Sequence, residues 1–377
     1  MDKRKVEFYK HNIDEADIKR FDEVLRSIFL TTGKVVAEFE EAFSNYLGGG
    51  DVIGVTSCTA ALQLCLLAWG IGHGDEVITT PMTFCATSNA VLHVGAKPVF
   101  VDVEEDTGNI NADLIEEKIT NKTKAIIPVH LYGQMCDMKK IKEIADKHGL
   151  IVIEDAAHCV EGVRDGIKPG QLGDGACFSF YATKNITCGE GGAIIVHDPE
   201  KAELIRIMRL HGIDKSAADR YTKSYSHWDM SVLGWKYNMN NIQAALLVGQ
   251  LKKIDSLRDR RECIAKMYDD AFKDTNIRLM MTKENCKNAF HLYTIQVSEE
   301  KRDTVLSGLQ DKHVGCAVNY RAVHLLKYYR DKLGYTEGMY PIAEQIGSRT
   351  ITIPLYPKLK NDEVEYVVKS IIEVLNI

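Results

Sequence analysis

No excess of basic residues marks this chain: 47 Lys and Arg stand against 53 Asp and Glu, a formal net charge of −6. That balance offers no electrostatic footprint for nucleic acid or an anionic membrane surface. Long apolar runs are missing too, with no stretch approaching the ~18 residues of a membrane span. Met1-Asp2-Lys3-Arg4-Lys5 leads into no apolar segment suited to a signal peptide, so the expected location is the cytoplasm. Ten cysteines, at 58, 65, 85, 136, 159, 177, 188, 263, 286 and 316, never form a Cys-x-x-Cys pair. They read as reduced core thiols rather than zinc or redox ligands. No Gly-x-Gly-x-x-Gly turn follows the first strand of the alternating region, where Val55-Thr56-Ser57-Cys58 stands instead, and this counts against a dinucleotide oxidoreductase.

What is present is core material and a regular alternation. The 377 residues are 45% hydrophobic and 27% charged, enough for two domains or one large domain with an appendage. Helical periodicity runs over Asp14 to Ser27 and Val35 to Leu47. Strands follow at Val52 to Val55, Glu76 to Thr79, Pro98 to Val103, Ala125 to Val129 and Ile151 to Glu154. Helices separate them at Thr59 to Trp69, Phe84 to Val94, Ala112 to Ile119 and Met138 to His148. Such alternation predicts a mainly parallel sheet covered on both faces, with ligands beyond the carboxyl ends of its strands. Cys177 to Tyr181 and Ala193 to His197 read as further strands, and Pro199 to Leu210 as a helix. Asp219 to Trp235 reads as a long loop, Asn240 to Phe272 as one helical tract. His291 to Val297 and Asn361 to Leu375 belong to a smaller α+β domain. The predicted division is 1–250 for the large domain with its N-terminal helices and 251–377 for the small one, with no low-complexity linker or repeat between them.

Lys184 stands between a buried strand and the cluster Gly189-Glu190-Gly191-Gly192, where glycines permit close backbone approach. A desolvated lysine there can form a Schiff base with a carbonyl compound, although most lysines are solvated surface charges. Asp155 follows a strand, at a ligand-facing end or as a turn acid. If the ligand is a pyridine, an aspartate there keeps the ring nitrogen protonated. Ser57-Cys58-Thr59 opens a helix whose free amides suit a phosphate, or simply caps it. Phe84 can stack on a planar ring or join the core. Ser179 can hold a phosphate or be a plain strand serine.

Taken together, Ser57-Cys58-Thr59, Phe84, Asp155-Ala156-Ala157-His158, Ser179 to Lys184 and Gly189-Glu190-Gly191-Gly192 resemble the DegT/DnrJ/EryC1/StrS sugar aminotransferases. The likeness runs from Leu30-Thr31-Thr32-Gly33 to Ile353-Pro354-Leu355-Tyr356-Pro357. The runs Asp155 to His158, Lys184 to Cys188, Lys236-Tyr237-Asn238 and Tyr320 to His324 look most similar to enzymes that make UDP-4-amino-4-deoxy-L-arabinose and related 4-amino sugars.

The resemblance implies an α/β, fold-type-I aminotransferase using pyridoxal 5′-phosphate, with pyridoxamine 5′-phosphate as its alternate form. It implies Lys184 as the Schiff-base lysine, Asp155 at the pyridine nitrogen and Phe84 on the ring face. Ala157 and His158 lie beside the cofactor. The phosphate falls to the amides of Cys58 and Thr59, the Ser179 hydroxyl, and Asn238 from the partner of a homodimer with shared active sites. Arg321 and His324 are the candidates for donor carboxylate or sugar-nucleotide phosphate, or else surface residues. The implied reaction moves an amino group from L-glutamate, leaving 2-oxoglutarate, to a nucleotide-linked 4-keto sugar for a lipopolysaccharide or similar glycan. A 3-keto substrate, a pyridoxamine-dependent dehydratase and a catalytically idle relative are the alternatives; the dehydratases carry histidine where this chain has Lys184. The chain differs from the family pattern at Cys58, Ile28-Phe29, Lys236 and Asn319.

Overall fold

The computed structural model describes residues 4–214 and 227–376. Twelve strands occur among them: β1 (Asp51–Val55), β2 (Glu76–Thr79), β3 (Lys97–Phe100), β4 (Thr123–Ile127), β5 (Ile151–Asp155), β6 (Val163–Arg164), β7 (Gly175–Ser179), β8 (Gly192–Val196), β9 (Arg278–Leu279), β10 (Cys286–Lys287), β11 (Tyr293–Gln296) and β12 (Thr350–Ile353). Seven form one sheet in the order β1-β8-β7-β5-β4-β2-β3. From β7 through β3 the neighbours are parallel, and β8 lies antiparallel between β1 and β7. The central strands β7 and β8 are buried at every residue because helices cover both faces, which is why they read as continuous apolar runs.

This topology builds the site. The carboxyl ends of β1, β5 and β7 share one edge of the sheet, and because β8 runs the other way its first residue joins them. Gly192 is paired with both Val55 and Ser179.

Beneath that edge, helix Lys34–Leu47 turns Val36, Phe39, Phe43 and Leu47 inward, the i, i+3, i+7 spacing of one apolar face. Phe43 meets Phe178 edge-on at 5.0 Å and Phe180 at 5.6 Å, while Phe39 meets Phe180 at 5.4 Å. Each such contact adds about 0.5–1.5 kcal/mol beyond its buried area. The strand leading to Lys184 is thereby pinned from below.

A second core surrounds the antiparallel sheet β12-β11-β9, built with helices Ile254–Phe272, Glu299–Asp311 and Asn361–Leu375. Val6 belongs to this core, so the beginning of the chain packs against its end. Among the described residues no helix is long and apolar enough to cross a membrane.

Several elements depart from the sequence reading. Ala112 to Ile119 is not a helix but two short 3-10 turns, Ala112–Leu114 and Glu116–Lys118. Only Ala112 and Ile115 of that segment are buried, too small an apolar face to stabilise a full α-helix. The tract from Asn240 breaks at Lys253, which leaves helical dihedrals between Asn241–Lys252 and Ile254–Phe272. The ammonium of Lys253 is drawn to Asp14 and, at 2.8 Å, to the buried Asp17. Phe84 does not open a helix: the helix is Ala86–His93, with Cys85 at its cap. Of the loop read over Asp219 to Trp235, residues 219–226 lie outside the described residues, and 227–235 contain no helix or strand.

Candidate active site

A cavity of about 510 Å³ opens over the shared strand edge. Ser57, Cys58, Thr59, Phe84, Asp155, Ala157, His158, Ser179 and Lys184 all line it. Nine residues named from the sequence thus converge from four separate segments of the chain.

Lys184 sits in a turn anchored on both sides. Phe180 and Ile186 are fully buried, and the Lys184 amide donates to the Tyr181 carbonyl at 2.9 Å. Gln250 grips the next strand entry, accepting from the Thr187 amide at 3.1 Å and donating to its carbonyl at 2.7 Å. Tyr9 donates its hydroxyl to the Lys184 carbonyl at 2.8 Å. The amine is enclosed, and burial outweighs the opposing pull of Cys58 and Asp155, lowering its pKa from 10.5 to about 8. An appreciable minority of it, about a tenth at pH 7, is therefore free base and nucleophilic, far more than for a solvated lysine.

Asp155 ends β5 and is 5% exposed. Its carboxylate accepts from the Thr87 hydroxyl at 2.8 Å and the Ala157 amide at 3.1 Å, with the Cys58 thiol at 3.8 Å. These fix its plane while leaving the charge facing the cavity.

Ser57 caps helix Cys58–Ala68 by accepting from the Ala60 amide at 3.1 Å. The amides of Cys58 and Thr59, in the first turn, have no acceptor within the helix and are open to an anion. Close approach makes this turn possible. A Cβ on Gly192 would lie 2.5 Å from the Ser57 carbonyl carbon and 2.7 Å from the Cys58 nitrogen. Gly192→Ala is therefore expected to cost about 1–3 kcal/mol and to weaken anion and cofactor binding. Thermal unfolding and cofactor titration check this; an unchanged Tm and Kd would show that the turn has room to spare.

His158 receives the Tyr132 amide on Nδ1 at 3.3 Å, so its proton resides on Nε2, which faces the Tyr320 hydroxyl at 3.0 Å. Burial, then the charge of Lys184, holds this imidazole well below its usual pKa, and it is neutral. Phe84 is 58% exposed, unusual for a phenylalanine, with its ring 6.0 Å from that of Tyr320. It is an open aromatic face on the cavity.

Three sequence candidates are not brought to this cavity. Asn238 donates to the Thr32 hydroxyl at 2.7 Å and lies outside the lining of its own chain's cavity. Arg321 is exposed and also outside the lining. His324 is fully buried, its Nε2 held by Glu344 at 2.8 Å and its ring 4.8 Å from Tyr340. The expectation that His324 meets a substrate anion is corrected by that burial. Conversely Thr87 and His291 line the cavity with no motif to mark them, and Tyr320, marked only as the start of a run similar to the family, lines it too. Thr87 meets Asp155 across 68 residues, and no local spacing signals such a contact.

An amine of lowered pKa, an anchored carboxylate, a helix turn with unpaired amides and an open aromatic face are together a set of groups that would suit a phosphorylated pyridine aldehyde. The fit extends to Cys58, whose thiol turns toward Asp155 and leaves the turn's amides clear.

The comparisons agree. Residues 11–372 match the DegT/DnrJ/EryC1/StrS aminotransferase family, and the chain belongs to that family. It is 41% identical over 370 residues to the spore coat polysaccharide biosynthesis protein SpsC of Bacillus subtilis, covering 96% of this chain and 95% of that protein. Spr1654 of Streptococcus pneumoniae, described as a sugar aminotransferase and solved in its PMP form, superimposes with a TM-score of 0.94 at 32% identity, covering 98% of this chain and 99% of that one. Helicobacter pylori PseC, an aminotransferase of pseudoaminic acid biosynthesis, gives a TM-score of 0.92 at 29% identity, covering 99% and 100%. The protein is a pyridoxal-phosphate-dependent sugar aminotransferase of fold type I.

Proposed function

We propose that this enzyme transfers the amino group of L-glutamate to the 4-keto carbon of a nucleotide-linked sugar, releasing 2-oxoglutarate. We further propose that it acts in the cytoplasm, as a homodimer with shared active sites, in making a cell-surface glycan such as lipopolysaccharide. The observation that carries the transamination is the enclosed Lys184 amine in one cavity with Asp155 and the Ser57–Thr59 turn. Similarity to proteins of polysaccharide and pseudoaminic acid biosynthesis supports the sugar.

The cofactor, when bound, supplies the electron sink that makes a carbon next to an amine acidic. Everything else falls to the chain. Asp155 presents its charge to the ring nitrogen. The Cys58 and Thr59 amides and the Ser179 hydroxyl hold the phosphate, with Asn238 proposed to complete the set from the partner subunit. Phe84 would cover a ring face, with Ala157 and neutral His158 beside it. Lys184 Nζ would be the point of covalent attachment and would hold and move a proton in each half-reaction. Arg321 remains the proposed ligand for a donor carboxylate or a substrate phosphate. The division of the chain at 250/251 is likewise proposed.

The test is glutamate-dependent amination across nucleotide-linked 4-keto and 3-keto sugars and their unlinked counterparts. Amine product from the nucleotide-linked 4-keto compounds alone is expected. Equal turnover of a 3-keto or unlinked sugar would overturn the proposed substrate.

A further inference from the structure

Behind the cavity lies a buried polar chain that the chemistry above does not use. His291 lines the cavity, 5% exposed, with Nε2 3.4 Å from Lys184 Nζ. Its Nδ1 faces the Asn185 side-chain oxygen at 3.2 Å. The Asn185 amide nitrogen donates to Glu161 at 2.9 and 3.1 Å and to the Ala289 carbonyl at 3.1 Å. Glu161 in turn pairs with Arg261, whose Nε donates to the same Ala289 carbonyl at 3.2 Å. Glu161 and Arg261 are each 1% exposed, and neither they nor Asn185 line the cavity.

This arrangement permits one tautomer. Turning the Asn185 amide over would set its oxygen against the Glu161 carboxylate and the Ala289 carbonyl, acceptors all. Its nitrogen must therefore face them and its oxygen must face His291. Nδ1 of a neutral imidazole then carries the proton, and Nε2 has its lone pair toward Lys184. The groups facing the ring are Lys184, His158 with its ring centroid 4.4 Å away, and Arg261 compensated by Glu161. Burial first, then Lys184, His158 and Arg261, keep the imidazole neutral while the amine titrates. A buried ion pair is seldom worth its desolvation as a source of stability, so fixing a tautomer gives this one a purpose.

We infer that His291 is the acceptor that orients the free amine of Lys184, and that Arg261, Glu161 and Asn185 are positioning residues that set it. One N–H of Lys184 points to Nε2, which leaves the nitrogen lone pair directed into the cavity toward an incoming carbonyl. The inference rests on the reading of Lys184 as the Schiff-base lysine, and it is independent of which sugar is aminated.

The experiment uses the apoenzyme and measures its rate of capture of pyridoxal phosphate by absorbance, for wild type, His291→Phe and His291→Gln. Phe keeps a ring without an acceptor; Gln restores an acceptor oxygen. Capture is expected to slow about tenfold in H291F, the worth of one hydrogen bond to a reacting group, and to recover in H291Q. The equilibrium content of cofactor changes less than the rate. Equal rates in wild type and H291F, or equal losses in both variants, would overturn the inference. Because H291F could fold poorly, nitrogen-15 spectra of histidine-labelled wild-type apoenzyme give a second readout. A protonated Nδ1 and bare Nε2 on His291 support the inference, and the opposite tautomer sinks it. Normal cofactor capture without amination of any sugar would refute the proposed function and leave this inference standing.

Discussion

Lys184→Ala is expected to abolish the visible absorbance of the isolated protein and to lower turnover by about 10³-fold or more, since it removes both the covalent attachment and the proton carrier. The fold is expected to survive. Phe180, Ile186 and the paired hydrogen bonds of Gln250 to Thr187 anchor the turn, whereas the Lys184 side chain projects into the cavity and contributes little to the core. A change in stability of less than about 1 kcal/mol is expected. Activity and spectrum should therefore collapse together while Tm holds. Turnover by K184A at the wild-type rate would mean that another group carries the chemistry.

Asp155→Asn tests the other pole of the site and separates charge from shape. The amide matches the carboxylate in size, and the Thr87 hydroxyl at 2.8 Å can rotate to accept where it had donated. The variant is thus expected to fold and to retain cofactor. What it lacks is the negative charge that keeps a pyridine nitrogen protonated, and kcat is expected to fall by about 10²–10⁴, the usual scale for a lost proton-holding group. Measured kcat within a few-fold of wild type, at full cofactor content, would remove Asp155 from that role.

The difference between what could and could not be read in advance has a physical origin. The placement of Asp155, Ser179 and the Ser57–Thr59 turn at strand ends is legible because a strand end is marked locally, by a short apolar run giving way to polar residues. In an α/β sheet such ends face the ligand. Periodicity predicts a helix over Ala112 to Ile119 because it counts apolar residues whether or not they reach a core; here only Ala112 and Ile115 do. Phe84 was drawn into a helix that starts two residues later, at Ala86, which leaves its ring outside the first turn and exposed to the cavity. His324 carried a chemically plausible side chain, and packing against Glu344 and Tyr340 removed it from reach.

Taken by itself, the sequence determined the alternation of strands and helices, the placement of Lys184, Asp155 and the Ser57–Thr59 turn at its breaks, and the resemblance that joins them. Each depends on order along the chain. Only the tertiary structure decided which partners those residues have: Thr87 on Asp155, His291 on Lys184, and Arg261 with Glu161 behind Asn185, pairs separated by 68, 107 and 100 residues. Hydrogen bonds act over about 3 Å. Two residues far apart in sequence meet at that range only after crossovers, sheet order and packing have fixed where each side chain points.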